Sequence, residues 1–273
     1  MSAVPISDVT SSRGAIWFHA LTGGAAPAAG YPATLLLADA PFADTQARFI
    51  SVVPDANHPY PRARKGETGL LEGWAIAQAV HEVIEADQGK TPRPIIAIVD
   101  VASQAYGRRE EALGLHLSLA GAAGAYAEAR LAGHPVIALL VGKAMSGAFL
   151  AHGYQANRLI ALDDSGVQVH AMGKAAAARI TMRSVEDLER LAATVPPMAY
   201  DIAAYATLGL LWRLVQMGNA QGPSADDLAS VNTVLYDALA DIQADPTRGL
   251  GSRLGAENRQ ASARVRAKLR AQW

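Results

Sequence analysis

The chain has 273 residues, 51% of them hydrophobic and 18% charged, with a formal net charge of −1. That length and polarity fit one large well-buried domain or two small ones, and the near-neutral charge without a basic recognition motif argues against nucleic-acid binding. Cysteine is absent, which excludes disulfides, thiolate catalysis and cysteine-ligated metal or iron–sulfur sites.

In chain order, Met1–Asp8 lacks a basic region followed by an apolar run, so no signal peptide is expected. Residues 13–53 read as strand-rich. Ala15-Ile-Trp-Phe-His19, Thr34-Leu-Leu-Leu-Ala-Asp39 and Arg48-Phe-Ile-Ser-Val-Val53 are apolar runs, with a Gly/Ala/Pro loop at 23–30. Pro54–Lys65 is a Pro-rich loop holding Arg62, Arg64 and Lys65. A helix is predicted over Gly66–Val80, a buried strand over Pro94–Asp100, and an Ala/Gly-rich helix over 112–130. Gly114, Gly121 and Gly124 each cost about 1 kcal/mol there relative to alanine, which close helix packing must offset. A second buried strand starts at Pro135, a third spans Asn157–Leu162, and Val167–His170 precedes a helix over Ala171–Ile180. Helices alternating with buried strands from 66 to 180 are the signature of a layered α/β core.

Beyond Ser184 the chain reads as helical. Ser184-Val-Glu-Asp187 supplies a cap and an acidic first turn, Tyr200–Gln216 reads as one long apolar helix, and Ser224-Ala-Asp-Asp227 opens another. No repeat of 20–50 residues is visible, so residues 1–273 are read as a single domain with 184–273 as its helical C-terminal extension. Ala112–Ala127 is uncharged for 16 residues, short of the roughly 20 a membrane span needs. A soluble, cytoplasmic protein without a membrane partner is expected. The last 26 residues, Arg248–Trp273, hold seven Lys or Arg and one acid, Glu257. That tail reads either as a surface for an acidic partner or as a solvated helix whose basic end suits the helix dipole.

The segment from Pro135 to Ala151 carries the most chemistry. An apolar run ends in Gly142, and the small residues Ala144, Ser146, Gly147 and Ala148 then open a helix. The first turn of a helix has unpaired N–H groups at the positive end of its dipole, and small side chains at Gly147 and Ala148 let an oxygen approach them. This is the raw material of an oxyanion hole; a tight strand-to-helix packing joint is the other reading. Ala144-Met-Ser-Gly-Ala148 also resembles a nucleophile elbow with Ser146 as nucleophile. His152, His170, Asp163 and Asp164 follow it, unusually close for a hydrolase of that kind. The seven histidines show no His-Glu-x-x-His or other ligand spacing, so no metal site is expected.

Together, the loop after the first buried strand (Asp100, Ala105, Tyr106, Gly107), the joint after the second (Gly142, Ser146, Gly147, Leu150, Ala151) and Gly173 form a pattern. It resembles the alpha half of a biotin-type carboxyltransferase of the crotonase superfamily over residues 66–180. Departures are specific: Val101-Ala102-Ser103 stand for Thr-Pro-Gly, Gln104 is added, Lys143 replaces a glutamate, Ala144-Met145 replace Gly-Gly, Ala148 replaces a glycine of the hole, and Ala171-Met172-Gly173 stand for Pro-Glu-Gly. With these changes the chain is most similar to the gamma subunits of biotin-independent malonate decarboxylases.

That resemblance implies an α/β, crotonase-like (ClpP/crotonase) fold, a layered β-β-α spiral core with a helical C-terminal region. It also implies a carboxy-lyase subunit active only in complex. Together with a homologous beta subunit it would convert a malonyl thioester on an acyl carrier protein to an acetyl thioester and CO2. An acyl-transferase alpha subunit completes the set of partners. The chain itself binds no cofactor; the carrier protein presents a phosphopantetheine-type group. The beta half would own the thioester hole, while Gly147 and Ala148, with Ser146, would face the departing carboxylate. Gln104, Tyr106, Gly107, Lys143 and His170 are candidate substrate-binding residues. An alpha-type subunit of an acyl-CoA carboxyltransferase and a non-catalytic structural partner are the rival roles.

Overall fold

The computed structural model describes residues 12–245, 247 and 249–273. The signal-peptide reading of Met1–Asp8 and the tail's first cation, Arg248, lie outside the described residues.

The first described element is a helix, α1 (Arg13–Leu21), where an apolar strand was expected. Ser12 Oγ accepts the Ala15 N–H and caps it, and the buried residues Gly14, Trp17, Phe18 and Leu21 recur at helical, not strand, spacing. A hairpin follows, β1 (Leu35–Phe42) antiparallel to β2 (Thr45–Val52). Helix α2 (Leu70–Ala86) starts four residues later than the sequence predicts. Strand β3 (Ile95–Val101) is buried at six of its seven positions, as a parallel-sheet strand must be. The expected 112–130 helix divides into α3 (Arg108–Ala112) and α4 (Leu115–Leu131), broken at Gly114, whose φ of 86° only glycine adopts readily. The small residues of α4 let it lie close to α2: a Cβ on Gly73 would meet Ser118 Oγ at 2.2 Å.

Strand β4 (Val136–Met145) runs three residues past the expected stop at Gly142, and α5 (Ser146–Ala151) follows at once. β5 (Arg158–Leu162), β6 (Gln168–His170) and β7 (Arg213–Val215) complete a seven-stranded sheet ordered β1-β2-β3-β4-β5-β7. Strand β4 is shared. Its residues 137–140 pair with β5, and Lys143–Met145 pair with β6 off the main path.

The region after β6 is mostly helical: α6 (Lys174–Ile180), α7 (Val185–Ala192), α8 (Ile202–Ala206), α9 (Ala225–Ala244) and α10 (Gln260–Gln272). The long helix expected over Tyr200–Gln216 is instead α8, a turn with Gly209 at φ 67°, and β7. β7 pairs with β5, and Val231, Leu235, Ala238 and Ile242 of α9 are fully buried in the main core. This region therefore completes the core as well as extending it. Helix α10 buries no residue. Among the described residues no helix is long and apolar enough to cross a membrane.

Candidate active site

Two side chains reach the β4–α5 segment, Asp100 near the end of β3 and Gln104 in the loop beyond it. Asp100 Oδ1 accepts the Lys143 N–H at 3.0 Å, and Oδ2 accepts the Gly14 N–H at 3.4 Å. The pairing of β3 with β4 slips here, from Val99 opposite Leu140 to Val101 opposite Ala144. Gly142 fits the slip because a Cβ there would stand 2.1 Å from Asp100 Oδ1.

Four residues on, Gln104 Oε1 accepts the Gly147 N–H at 3.1 Å. The Gln104 backbone is fixed from both sides. Thr68 donates its N–H to Ser103 O (3.1 Å) and accepts the Ala105 N–H (2.8 Å), and Tyr106 N–H closes a three-residue turn onto Gln104 O (2.8 Å). Thr68 is itself held by the start of α2, where buried Glu72 accepts the Gly69 N–H at 2.8 Å and lies 3.0 Å from His58 Nε2. Burial pushes the Glu72 carboxyl up, but its His58 and Thr34 contacts outweigh that and hold it below the usual range.

Ser146 opens α5 at φ 57°, in the left-handed region unusual for a residue with a Cβ. Its hydroxyl donates to Ala171 O at 2.5 Å, tying α5 to the loop after β6. His170 sits beside that loop, stacked on Tyr200 with ring centroids 3.9 Å apart. Its Nδ1 is engaged by the Met172 backbone, and burial lowers its pKa, which favours the neutral ring. His152 is buried beneath α5. Its Nδ1 meets the Tyr126 hydroxyl at 3.0 Å and its Nε2 lies 3.0 Å from Ile98 O. Burial depresses its pKa to about 4, so it is neutral near pH 7. Neither histidine is poised as a base for Ser146, so the triad that the nucleophile-elbow reading needs is not assembled.

Gln104, Ser146, Gly147 and His170 line one cleft of about 500 Å³. Its remaining wall is largely apolar, including Phe149, Leu150, Val169, Met198 and Leu208. Ala148 is buried directly behind it. The other sequence candidates lie elsewhere. Lys143 lines a separate groove with Arg13, Lys65 and Asp100. Tyr106 is half-exposed beneath the Arg62 guanidinium, 4.0 Å from its ring centre, and Gly107 caps α3. Sequence reasoning missed Tyr205, which lines the cleft at 8% exposure with a buried hydroxyl that has no hydrogen-bond partner among the described residues. Its place depends on the start of α8, where the N-cap Asp201 bridges to Gln168 of β6. No local signal in the 197–208 segment announces that bridge.

Known proteins place this arrangement. A family model for the malonate decarboxylase gamma subunit matches residues 63–273. The malonyl-S-ACP:biotin-protein carboxyltransferase of Malonomonas rubra is 34% identical over 209 residues, covering 75% of this chain and 68% of that protein. Among solved structures, a chain of a Pseudomonas malonate decarboxylase hetero-tetramer in complex with coenzyme A is 66% identical, with a TM-score of 0.92, covering 96% of this chain and all of that one. A chain of a Pseudomonas malonate decarboxylase hetero-dimer is 63% identical over the same shares, with a TM-score of 0.89. Transcarboxylase 12S, at 18% identity and a TM-score of 0.63 over 87% of this chain and 42% of that one, shares the fold.

Proposed function

The chain belongs to the malonate decarboxylase gamma-subunit family, and from that premise we propose that it forms one half of a decarboxylating site completed by a homologous beta subunit. The substrate is a malonyl thioester carried on the phosphopantetheine-type arm of an acyl carrier protein. An acyl-transferase alpha subunit loads and unloads that carrier. The whole chain acts as one domain, with 184–273 folded onto its core.

The chemistry needs little from side chains. The bond between the methylene and carboxyl carbons breaks, its electron pair moves into the thioester to form an enolate, and CO2 leaves. A proton then adds to the carbon. The costly charge grows on the thioester oxygen, and preorganised N–H donors from the beta half stabilise it, a contribution of a few kcal/mol. The carboxyl end of the malonyl group enters the cleft of this chain, at the corner built by Gln104, Ser146, Gly147 and Ala148, with His170 as a neutral wall. The observation that carries this reading is the convergence of Gln104, Ser146, Gly147 and His170 on one largely apolar cleft with no carboxylate, lysine or arginine in its lining. Such a site suits a reaction that sheds a charged group as a neutral gas, and it does not suit hydrolysis by Ser146.

The partner covers the open side of the cleft. Leu150 on its rim is 53% exposed, and Leu71, Trp74, Leu113 and Leu117 expose further apolar area on α2, α3 and α4, more than a solitary chain ordinarily leaves in water. The basic α10, with Arg264, Arg266, Lys268 and Arg270, attracts the acidic carrier protein. The test is to assay CO2 release from malonyl carrier protein with the purified chain, with the beta subunit, and with both. Activity is expected only from the pair; robust turnover by this chain alone would overturn the proposal. A biotin-protein added to the pair should leave the product unchanged. Carboxyl transfer to it would favour the carboxyltransferase role.

A further inference from the structure

We infer that the Gln104 carboxamide, anchored on the Gly147 N–H, is the group that grips and aims the substrate's carboxylate, so that Gly147 acts through Gln104 and not on the substrate directly. This inference rests on the proposed decarboxylase reading and specifies how its carboxyl subsite works.

The orientation of the amide is set by chemistry. The atom 3.1 Å from the Gly147 nitrogen faces a donor and must be the carbonyl oxygen. The Nε2 end, with two N–H donors, is therefore turned away from Gly147. Among the described residues it has no hydrogen-bond partner, yet Gln104 lines the cleft. The backbone clamps from Thr68 and Tyr106 leave only the side-chain torsions free, and the bond to Gly147 fixes those. A donor held this firmly needs little reorganisation when an anion arrives. Tyr205, with its buried and unpartnered hydroxyl, lies in the same cleft, so the lining holds unsatisfied polar capacity at two points.

A neutral donor is also the right kind for this reaction. The carboxylate carries its full charge in the ground state and loses it as CO2 forms. A lysine or arginine would bind the ground state more strongly than the transition state and so raise the barrier. An amide N–H supplies direction with less ground-state stabilisation. The apolar wall of Phe149, Leu150, Val169 and Leu208 disfavours the charged carboxylate and accepts the neutral product. Gln104 takes and gives no proton in the step: the electron pair leaves with the enolate, and CO2 departs unprotonated.

The experiment compares wild type, Gln104→Leu and Gln104→Arg in the assembled complex, with kcat and KM for the malonyl thioester and inhibition by free malonate. Elution of the complex on size exclusion and its thermal midpoint report folding. Gln104→Leu should assemble and lose about 100-fold in kcat/KM, the loss typical of removing one preorganised donor. Gln104→Arg should lower kcat while lowering KM and tightening malonate inhibition, the pattern of over-bound ground state. A Gln104→Leu complex as active as wild type, or more active, would overturn the inference, because Gly147 would then bind the carboxylate itself once unplugged. So would a Gln104→Arg complex with unchanged KM and malonate affinity, a result that stands even if the leucine variant fails to assemble. An inactive wild-type complex would instead overturn the decarboxylase reading.

Discussion

Asp100 near the end of β3 and Gln104 in the loop beyond it stand four residues apart, and each accepts one backbone N–H from the β4–α5 segment. At the Asp100 corner both carboxylate oxygens are occupied, by Lys143 and Gly14, and no space remains above Gly142. At the Gln104 corner only one end of the amide is occupied. A Cβ on Gly147 would meet nothing nearer than 3.5 Å. Two glycines that look equivalent in sequence thus do different work. Gly142 lets the chain close on a structural carboxylate, while Gly147 keeps a polar corner open. Saturation of hydrogen-bonding groups separates the region that holds the fold from the region that meets a ligand.

The largest expected effect breaks the closed corner. Gly142→Ala drives a methyl into Asp100 and forces the carboxylate off both N–H groups. We expect a loss of about 4 kcal/mol from overpacking and lost charged hydrogen bonds, read as a lowered thermal midpoint. Gly147→Ala should cost under about 1 kcal/mol by the same measurement. Equal losses would erase the distinction between the corners. Asp100→Ala should partly relieve Gly142→Ala in the double variant, because most of the clash leaves with the carboxylate.

Next comes the buried support beneath α5. The pKa of His152 falls from an ordinary 6.5 to about 4 on folding. The unfolded chain therefore takes up a proton as pH falls through 6.5, while the folded chain resists until about 4. The stability associated with neutral His152 is complete above pH 6.5 and is lost between 6.5 and 4. The total is on the order of 3 kcal/mol. Urea unfolding at pH 7 and pH 4.5 should reveal that slope in wild type and a shallower one in His152→Phe. Identical slopes would show that His152 is not the group responsible.

A smaller effect is expected where the C-terminal segment is tied down. Arg253 is buried, donates to Tyr154 O at 2.7 Å and also bonds Ala156 O. Tyr154 itself lines the cleft. Arg253→Met should cost about 2 kcal/mol through the two orphaned carbonyls, and limited proteolysis should release the segment after residue 250 faster. Unaltered cleavage would remove its role as an anchor. The smallest change in stability should follow replacement of Arg264, Arg266, Lys268 and Arg270 by serine, under about 0.5 kcal/mol. Affinity for the carrier protein should nevertheless fall at low salt and converge with wild type at high salt. Unchanged low-salt affinity would leave α10 without that role.

The legible parts of the fold were those in which local pattern and burial agree. Pro94–Val99 and Pro135–Val141 are unbroken apolar runs, and they became the two central parallel strands. Ala15–His19 misled because a five-residue apolar run fits strand and helix alike; the arbiter was the Ser12 cap. Tyr200–Gln216 misled because its apolar character comes from covering β5 and the cleft, not from one helical face. At the site, the residue types around Gly147 marked the right corner, and Gln104, Ser146 and His170 proved to share its cleft. Lys143 lines the other groove together with Gly142 and Asp100, before β4 reaches the corner at Gly147. Nothing local could show that Gln104 would occupy the Gly147 N–H, because that bond spans 43 positions.

The central claim is that backbone-anchored donors at the open corner, and not the Ser146 hydroxyl, serve the reaction. It is tested most directly by the decarboxylation rates of Gly147→Val and Ser146→Ala in the assembled complex, with folding checked by circular dichroism. Gly147→Val crowds the Gln104 amide out of place and should lower turnover by about 100-fold, the loss expected of Gln104→Leu. Ser146→Ala loses only the tie to Ala171 and should stay within about tenfold of wild type, a loss of up to about 1.4 kcal/mol in transition-state stabilisation. An inactive Ser146→Ala beside an active Gly147→Val would contradict the account and return the chemistry to a nucleophilic serine.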